Sequence, residues 1–159
     1  MIRHNAVLLL GISALGVGVL VYAFDRQPEL TYFLPGWLSL NGQFGSHFGT
    51  LGNYLPTFLH VYAFILLTVV VAVPTITKLF PVCLVWFCLD SLFEIAQIDP
   101  IASWVATHTP AWLTGIPFLE NTAKYFLMGT FDASDLLSIA AGTIAAYLTV
   151  SLLTRRVTL

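Results

Sequence analysis

The chain has 159 residues, 58% of them hydrophobic and only 9% charged, with a net charge of −2 and a mean hydropathy of +0.88. Soluble domains carry about a quarter charged residues, so the composition excludes a soluble fold and implies an integral membrane protein, and no basic cluster implies nucleic acid as a partner. At about 20 apolar residues per helical span, the length accommodates four spans in one membrane domain covering residues 1–159.

The first apolar segment, about 6–24, follows Arg3-His4-Asn5 in the manner of a secretory signal. It is longer than a signal core, and Asp25-Arg26-Gln27-Pro28 lacks a small-x-small cleavage site, so an uncleaved first span is expected. The loop that follows runs Leu34-Pro35-Gly36-Trp37, then Gly42 and Phe44-Gly45-Ser46-His47-Phe48-Gly49. Its aromatics among glycines suit headgroup depth.

A second segment, about 55–73, and a third, about 80–98, flank a short turn bracketed by Pro74 and Pro81 with Thr75, Thr77 and Lys78 inside it. They predict a tight helical hairpin. Cys83 and Cys88 both fall in the third segment and are expected to be buried thiols without a disulfide. The second long loop contains Trp104, Pro110, Trp112, Pro117 and Phe118, with short interfacial helices expected near 100–108 and 119–128. The fourth span is expected at about 135–153. The predicted fold is therefore an all-α membrane protein, a four-transmembrane-helix bundle with two long outer loops containing short interfacial helices. Arg3, Lys78, Arg155 and Arg156 fall on one side and Arg26 and Lys124 on the other, which predicts cytoplasmic termini.

Carboxyl groups are costly at membrane depth, so those within the spans mark a functional site or a buried polar network. Asp90, Glu94 and Gln97 are spaced i, i+4, i+7 and fall within about 60° on one helix face. Asp132 and Asp135 open the fourth span, where a helix N-terminus favours negative charge; Asp132 or Ser134 is a candidate N-cap and Asp135 a first-turn acid. Below them Ser138, Gly142 and Ala146 form a stripe of small residues suited to close helix packing. Packed against the third span, that stripe would bring Asp135 level with Glu94 and Gln97. His60, a turn after Pro56, is either a hydrogen-bonded packing element or a further member of this cluster.

A metal set drawn from His60, Glu94, Asp132 and Asp135, with His47 or His108, is chemically possible, but no tight ligand motif accompanies it. No metal and no cofactor is assigned. Neither a G-x-S-x-G elbow nor a phosphate-binding glycine loop is present, and no catalytic residue is assigned.

The segments PTFLHVYAFILLT, DSLFEIAQ and GTFDASDLLSIAAGTIAAYL resemble the VanZ-like family of small bacterial membrane proteins over roughly residues 50–150. By position, the family's E-x-x-Q falls on Glu94 and Gln97, its D-x-x-D on Asp132 and Asp135, and its small glycine on Gly142. No arginine lies between residues 98 and 131, where the family often has one. The resemblance implies a bacterial inner-membrane protein with an outward-facing polar pocket, in a family linked to cell-envelope and glycopeptide-antibiotic phenotypes.

Three readings follow. His60, Asp90, Glu94, Gln97, Asp132 and Asp135 line a pocket for a polar headgroup or cell-envelope component. Alternatively, the chain is a non-catalytic subunit of a larger membrane complex, with its acids satisfied locally. In the third reading, Glu94 or Asp135 is the general base of an enzyme acting on a lipid-linked substrate. The partners expected are thus the bilayer, other membrane subunits, and a lipid or cell-envelope ligand.

Overall fold

In hydrocarbon a backbone must satisfy its own N–H and C=O groups, and a helix does so within one segment. The apolar runs of this chain accordingly become helices. The computed structural model describes residues 4–27, 31, 36–41, 47–72, 76–116 and 119–155, and among these residues the secondary structure is entirely helical. The elements are α1 (His4–Asp25), α2 (Leu51–Ala72), α3 (Leu79–Ile95), α4 (Asp99–His108), α5 (Thr122–Met128) and α6 (Ala133–Arg155). Short 3-10 turns cover Gly36–Leu38, Ile76–Lys78 and Ala111–Gly115. Several residues named above lie outside the described ones: Arg3, Pro28, Leu34, Pro35, Gly42, Phe44, Gly45, Ser46, Pro74, Thr75, Pro117, Phe118 and Arg156.

Three helices are long and apolar enough to cross a membrane: His4–Asp25, Leu51–Ala72 and Ala133–Thr154. A fourth crossing exists if α3 and α4 count as one broken span, since these two helices meet at 99°. α3 ends at Ile95, short of the expected 98, and residues 96–98 form a tight turn in which Gln97 N donates to Glu94 O and Ile98 N to Ile95 O. Pro100 explains the break. Its ring would collide with the Ala96 carbonyl in a continuous helix, so Ile98 adopts an extended conformation and α4 starts afresh at Asp99.

α2 occupies the centre. Its Leu66 and Leu67 meet α1 at Gly11, and its Phe58 and Val61 meet α6 at Gly142. The buried core joins Val7 of α1, Val61, Ile65, Leu66 and Val69 of α2, Leu79 and Cys83 of α3, and Ile139, Ala146 and Val150 of α6. Cys83 is buried as expected, but Cys88 is exposed, because five residues of helix carry it about 140° around α3 from Cys83.

Pro56 lies inside α2 and has no N–H to give to the carbonyl of Gly52, four residues earlier. The guanidinium of Arg26 takes that place: its Nη2 lies 3.3 Å from Gly52 O and 3.4 Å from Asn53 O. Beside it the Asp25 carboxylate accepts the backbone N–H groups of His47 and Phe48, each at 2.9 Å, while the His47 ring stacks on Phe24 at 4.8 Å. The end of α1 thus clamps the start of α2. The end of α3 and the start of α6 meet at this same end of the bundle, through Glu94 and Asp132.

Candidate functional site

Glu94 sits in the last turn of α3 and is 6% exposed. One carboxylate oxygen, Oε1, accepts the backbone N–H of Asp132 at 2.7 Å, and the other, Oε2, accepts from Gln97 Nε2 at 3.2 Å. The same Gln97 nitrogen lies 3.5 Å from the Tyr125 hydroxyl of α5. Gly129 makes room for this carboxamide, since a Cβ there would run into the Gln97 side chain. Glu94 therefore ties the end of α3 to the entry of α6, with α5 attached through Gln97.

Asp132 is the N-cap of α6. Its Oδ1 accepts Ser134 N–H at 2.8 Å, and its carbonyl accepts Asp135 N–H at 2.9 Å. Asp135, in the first turn, turns to α2 instead of α3 and accepts from Thr57 Oγ1 at 3.1 Å. Arg26 and Asp132 are close enough for their charges to act on Asp135.

Asp90 lies about 7.5 Å back from the end of α3, at 1.5 Å per residue, and pairs with His60 across the α2–α3 seam, Oδ2 to Nδ1 at 3.1 Å. His60 is a partner of Asp90, not of Glu94 or Asp135.

The small-residue stripe also meets a different helix from the one considered above. A Cβ on Gly142 would come within 2.5 Å of the Phe58 carbonyl oxygen and 2.6 Å of Val61 Cγ1, so the stripe seats α6 on α2. Ala146 is fully buried in the same core, and Ser138 Oγ turns back to donate to Ser134 O at 3.0 Å. With the stripe occupied by α2, Asp135 finds Thr57 and the level of Glu94 is taken by Asp132.

Together these contacts close a triangle. His60–Asp90 joins α2 to α3, Thr57–Asp135 joins α2 to α6, and Glu94–Asp132 joins α3 to α6. Thr57, Tyr125, Gly129 and Arg26 were not singled out from the sequence as site residues. Only Arg26 had a readable signal, because Pro56 leaves a carbonyl in need of a donor.

Among the described residues no three His, Cys, Asp or Glu side chains converge as metal ligands. Ser91 follows Asp90, but its Oγ is buried with no hydrogen-bond partner among the described residues, so the Asp90–His60 pair does not extend to a serine nucleophile. Two grooves lie elsewhere. One of about 380 Å³ runs between α2 and α6 beside Tyr54, Phe58, Leu137 and Ser138, and one of about 170 Å³ between α2 and α3 beside Thr68, Val82 and Trp86; both are mainly apolar. Compared with known proteins, the chain matches no family model, no curated protein and no solved structure.

Proposed function

We propose that this is a four-span membrane protein acting as a non-catalytic subunit of a larger membrane complex. α3 is the fourth span, α4 turns off it to lie along the membrane surface, and both termini face the cytoplasm together with Lys78. Support for α4 at the interface comes from its 99° bend and from the exposed Trp104. The single observation that carries the subunit reading is the way Glu94 is held: it is 6% exposed and each of its oxygens accepts a hydrogen bond from inside the chain, one from the entry of α6 and one from Gln97. Its work is to hold helices together. Native mass spectrometry of the chain, tagged at its natural expression level and extracted in mild detergent, should show a fixed-stoichiometry assembly. A lone monomer would remove this reading.

A second reading keeps the VanZ-like resemblance and a bacterial inner-membrane location. It is favoured by the exposure of Asp132 at the head of α6, where the apolar α2–α6 groove passes Ser138. An amine-bearing headgroup at Asp132 with its acyl chain in that groove would fit. Lipid analysis of purified Asp132→Asn and wild-type chains tests it, and identical lipid profiles would sink it.

A further inference from the structure

α4 leaves the end of α3 at 99° and has three distinct sides. With 3.6 residues per turn, Ile101, Trp104, Val105 and His108 fall within about 100° on one side, while Asp99, Ser103 and Thr107 fall within about 80° on the opposite one. Ala102, the buried residue of α4, lies between them together with Ala106. That third side belongs to α5, since of the described helices only α5 packs closely on α4.

The α4–α5 layer sits level with the end of α3 and beside the bundle. Phe126 of α5 stacks on Phe93 with centroids 5.7 Å apart, and Tyr125 meets the same ring edge-on at 6.4 Å. Phe93 belongs to the last turn of α3, about 3 Å short of its end. α4 makes no comparable packing with α1, α2 or α6, so it does not lie across the ends of those helices. Ile95, Ile98 and Ile101, each exposed, carry the apolar surface of α3 through the turn and onto α4.

Two opposing costs fix the depth of the Ile101–His108 side. Facing water, it would leave Ile101 and the 61%-exposed Trp104 wet while the polar side of the same helix points elsewhere. Deep in hydrocarbon, two ring nitrogens would go without a partner. His108 Nδ1 lies 2.8 Å from the Trp104 carbonyl oxygen, which can only accept, so Nδ1 carries a proton whatever the charge of the ring. His108 Nε2 and Trp104 Nε1 have no hydrogen bond among the described residues. The two rings stack with centroids 4.5 Å apart, and an aromatic pair with an apolar body and a polar edge suits the headgroup boundary.

We infer that the Ile101–His108 side of α4 rests on phospholipid of the leaflet at the end of α3, with Ile101 and Val105 among the upper acyl chains and the Trp104–His108 pair against the headgroups, while Asp99, Ser103 and Thr107 face water. This rests on the four-span reading above and names the side of α4 that takes lipid and the residues that set its depth.

The test uses the full chain with Cys83→Ala and Cys88→Ala in phosphatidylcholine vesicles, carrying one nitroxide at a time at Ile101→Cys, Val105→Cys, Ser103→Cys or Thr107→Cys. A further nitroxide goes into α3 at Leu84→Cys, which is 49% exposed and about 16 Å from the end of that helix. Collision with oxygen, which concentrates in hydrocarbon, is compared with collision with a nickel chelate, which stays in water. The oxygen-to-nickel ratio should be at least about threefold higher at Ile101 and Val105 than at Ser103 and Thr107, as for an apolar face about 5–10 Å into the headgroup boundary. Each side has two positions, so a variant that does not accumulate is replaced by its neighbour. Equal ratios on the two sides overturn the inference. So does a nitroxide shielded from both reagents at Ile101 and Val105, which would mean that a second copy covers this side. If the Leu84 nitroxide is reached chiefly by oxygen in either case, the four-span reading stands without the inference; a Leu84 nitroxide reached chiefly by the nickel chelate removes both.

Discussion

Removing the Glu94 carboxylate strands two donors at once, the Asp132 N–H and the Gln97 carboxamide. Glu94→Leu should therefore lower stability by about 1–3 kcal/mol, the cost of leaving buried groups unsatisfied, read as an earlier unfolding transition in detergent. Asp132→Ala leaves the backbone bond to Glu94 in place and loses only the cap to Ser134, so a smaller drop of about 0.5–2 kcal/mol is expected. Glycines provide a second contrast. Gly142→Ala drives a Cβ onto the Phe58 carbonyl, a backbone atom that cannot swing aside, and should cost about 1–3 kcal/mol in overpacking. Gly16, with nothing within 4 Å of its virtual Cβ, should accept alanine with no loss or with a gain of up to about 1 kcal/mol in helix propensity. Denaturation of the two variants side by side checks the pair; equal losses would contradict the close α2–α6 crossing.

Helix α2 joins the others at its loop end because of a defect in its own hydrogen bonding. Pro56 frees the Gly52 carbonyl, and Arg26 at the end of α1 fills the vacancy. The two residues should consequently be coupled. Arg26→Met is expected to cost about 1.5–3 kcal/mol, as for loss of a bond from a charged donor, whereas the same change in a Pro56→Ala background, where the helix bond returns, should cost less than half as much. A double-mutant cycle in urea measures this, and additive losses would show that Arg26 acts elsewhere. The α3–α4 break has the same kind of origin, since Pro100 stops α3 where an uninterrupted apolar run would have carried it on to residue 98. The stripe of Ser138, Gly142 and Ala146 was legible as a packing surface, but its partner was not. Small residues say that a helix comes close without saying which one.

At the scale of the whole molecule, the end of α1, the start of α2, the end of α3 and the start of α6 meet at one end of the bundle, where Arg26 meets α2 and Glu94 meets Asp132. On the four-span reading proposed above, Lys78 and Glu120 fall on opposite sides of the membrane. In a chain with Cys83→Ala and Cys88→Ala, a membrane-impermeant maleimide applied to intact cells should label Glu120→Cys and spare Lys78→Cys until the membrane is opened; labelling of both from outside would argue for three crossings. Much of this frame was legible in the sequence. The absence of charge over long stretches demands helices in hydrocarbon, and the four apolar segments found their helices within a few residues. The candidate acids could be recognised one by one because a carboxyl at membrane depth is anomalous wherever it falls. What the tertiary structure alone decided is how they are answered: His60 for Asp90, Thr57 for Asp135, and the Asp132 backbone with Gln97 for Glu94. Helix periodicity assigns a residue to a face of its own helix, but the rotation and depth of neighbouring helices come from which surfaces pack best. Here Gly142 on Phe58 and Gly11 on Leu67 set those registers, and the polar pairs follow from them.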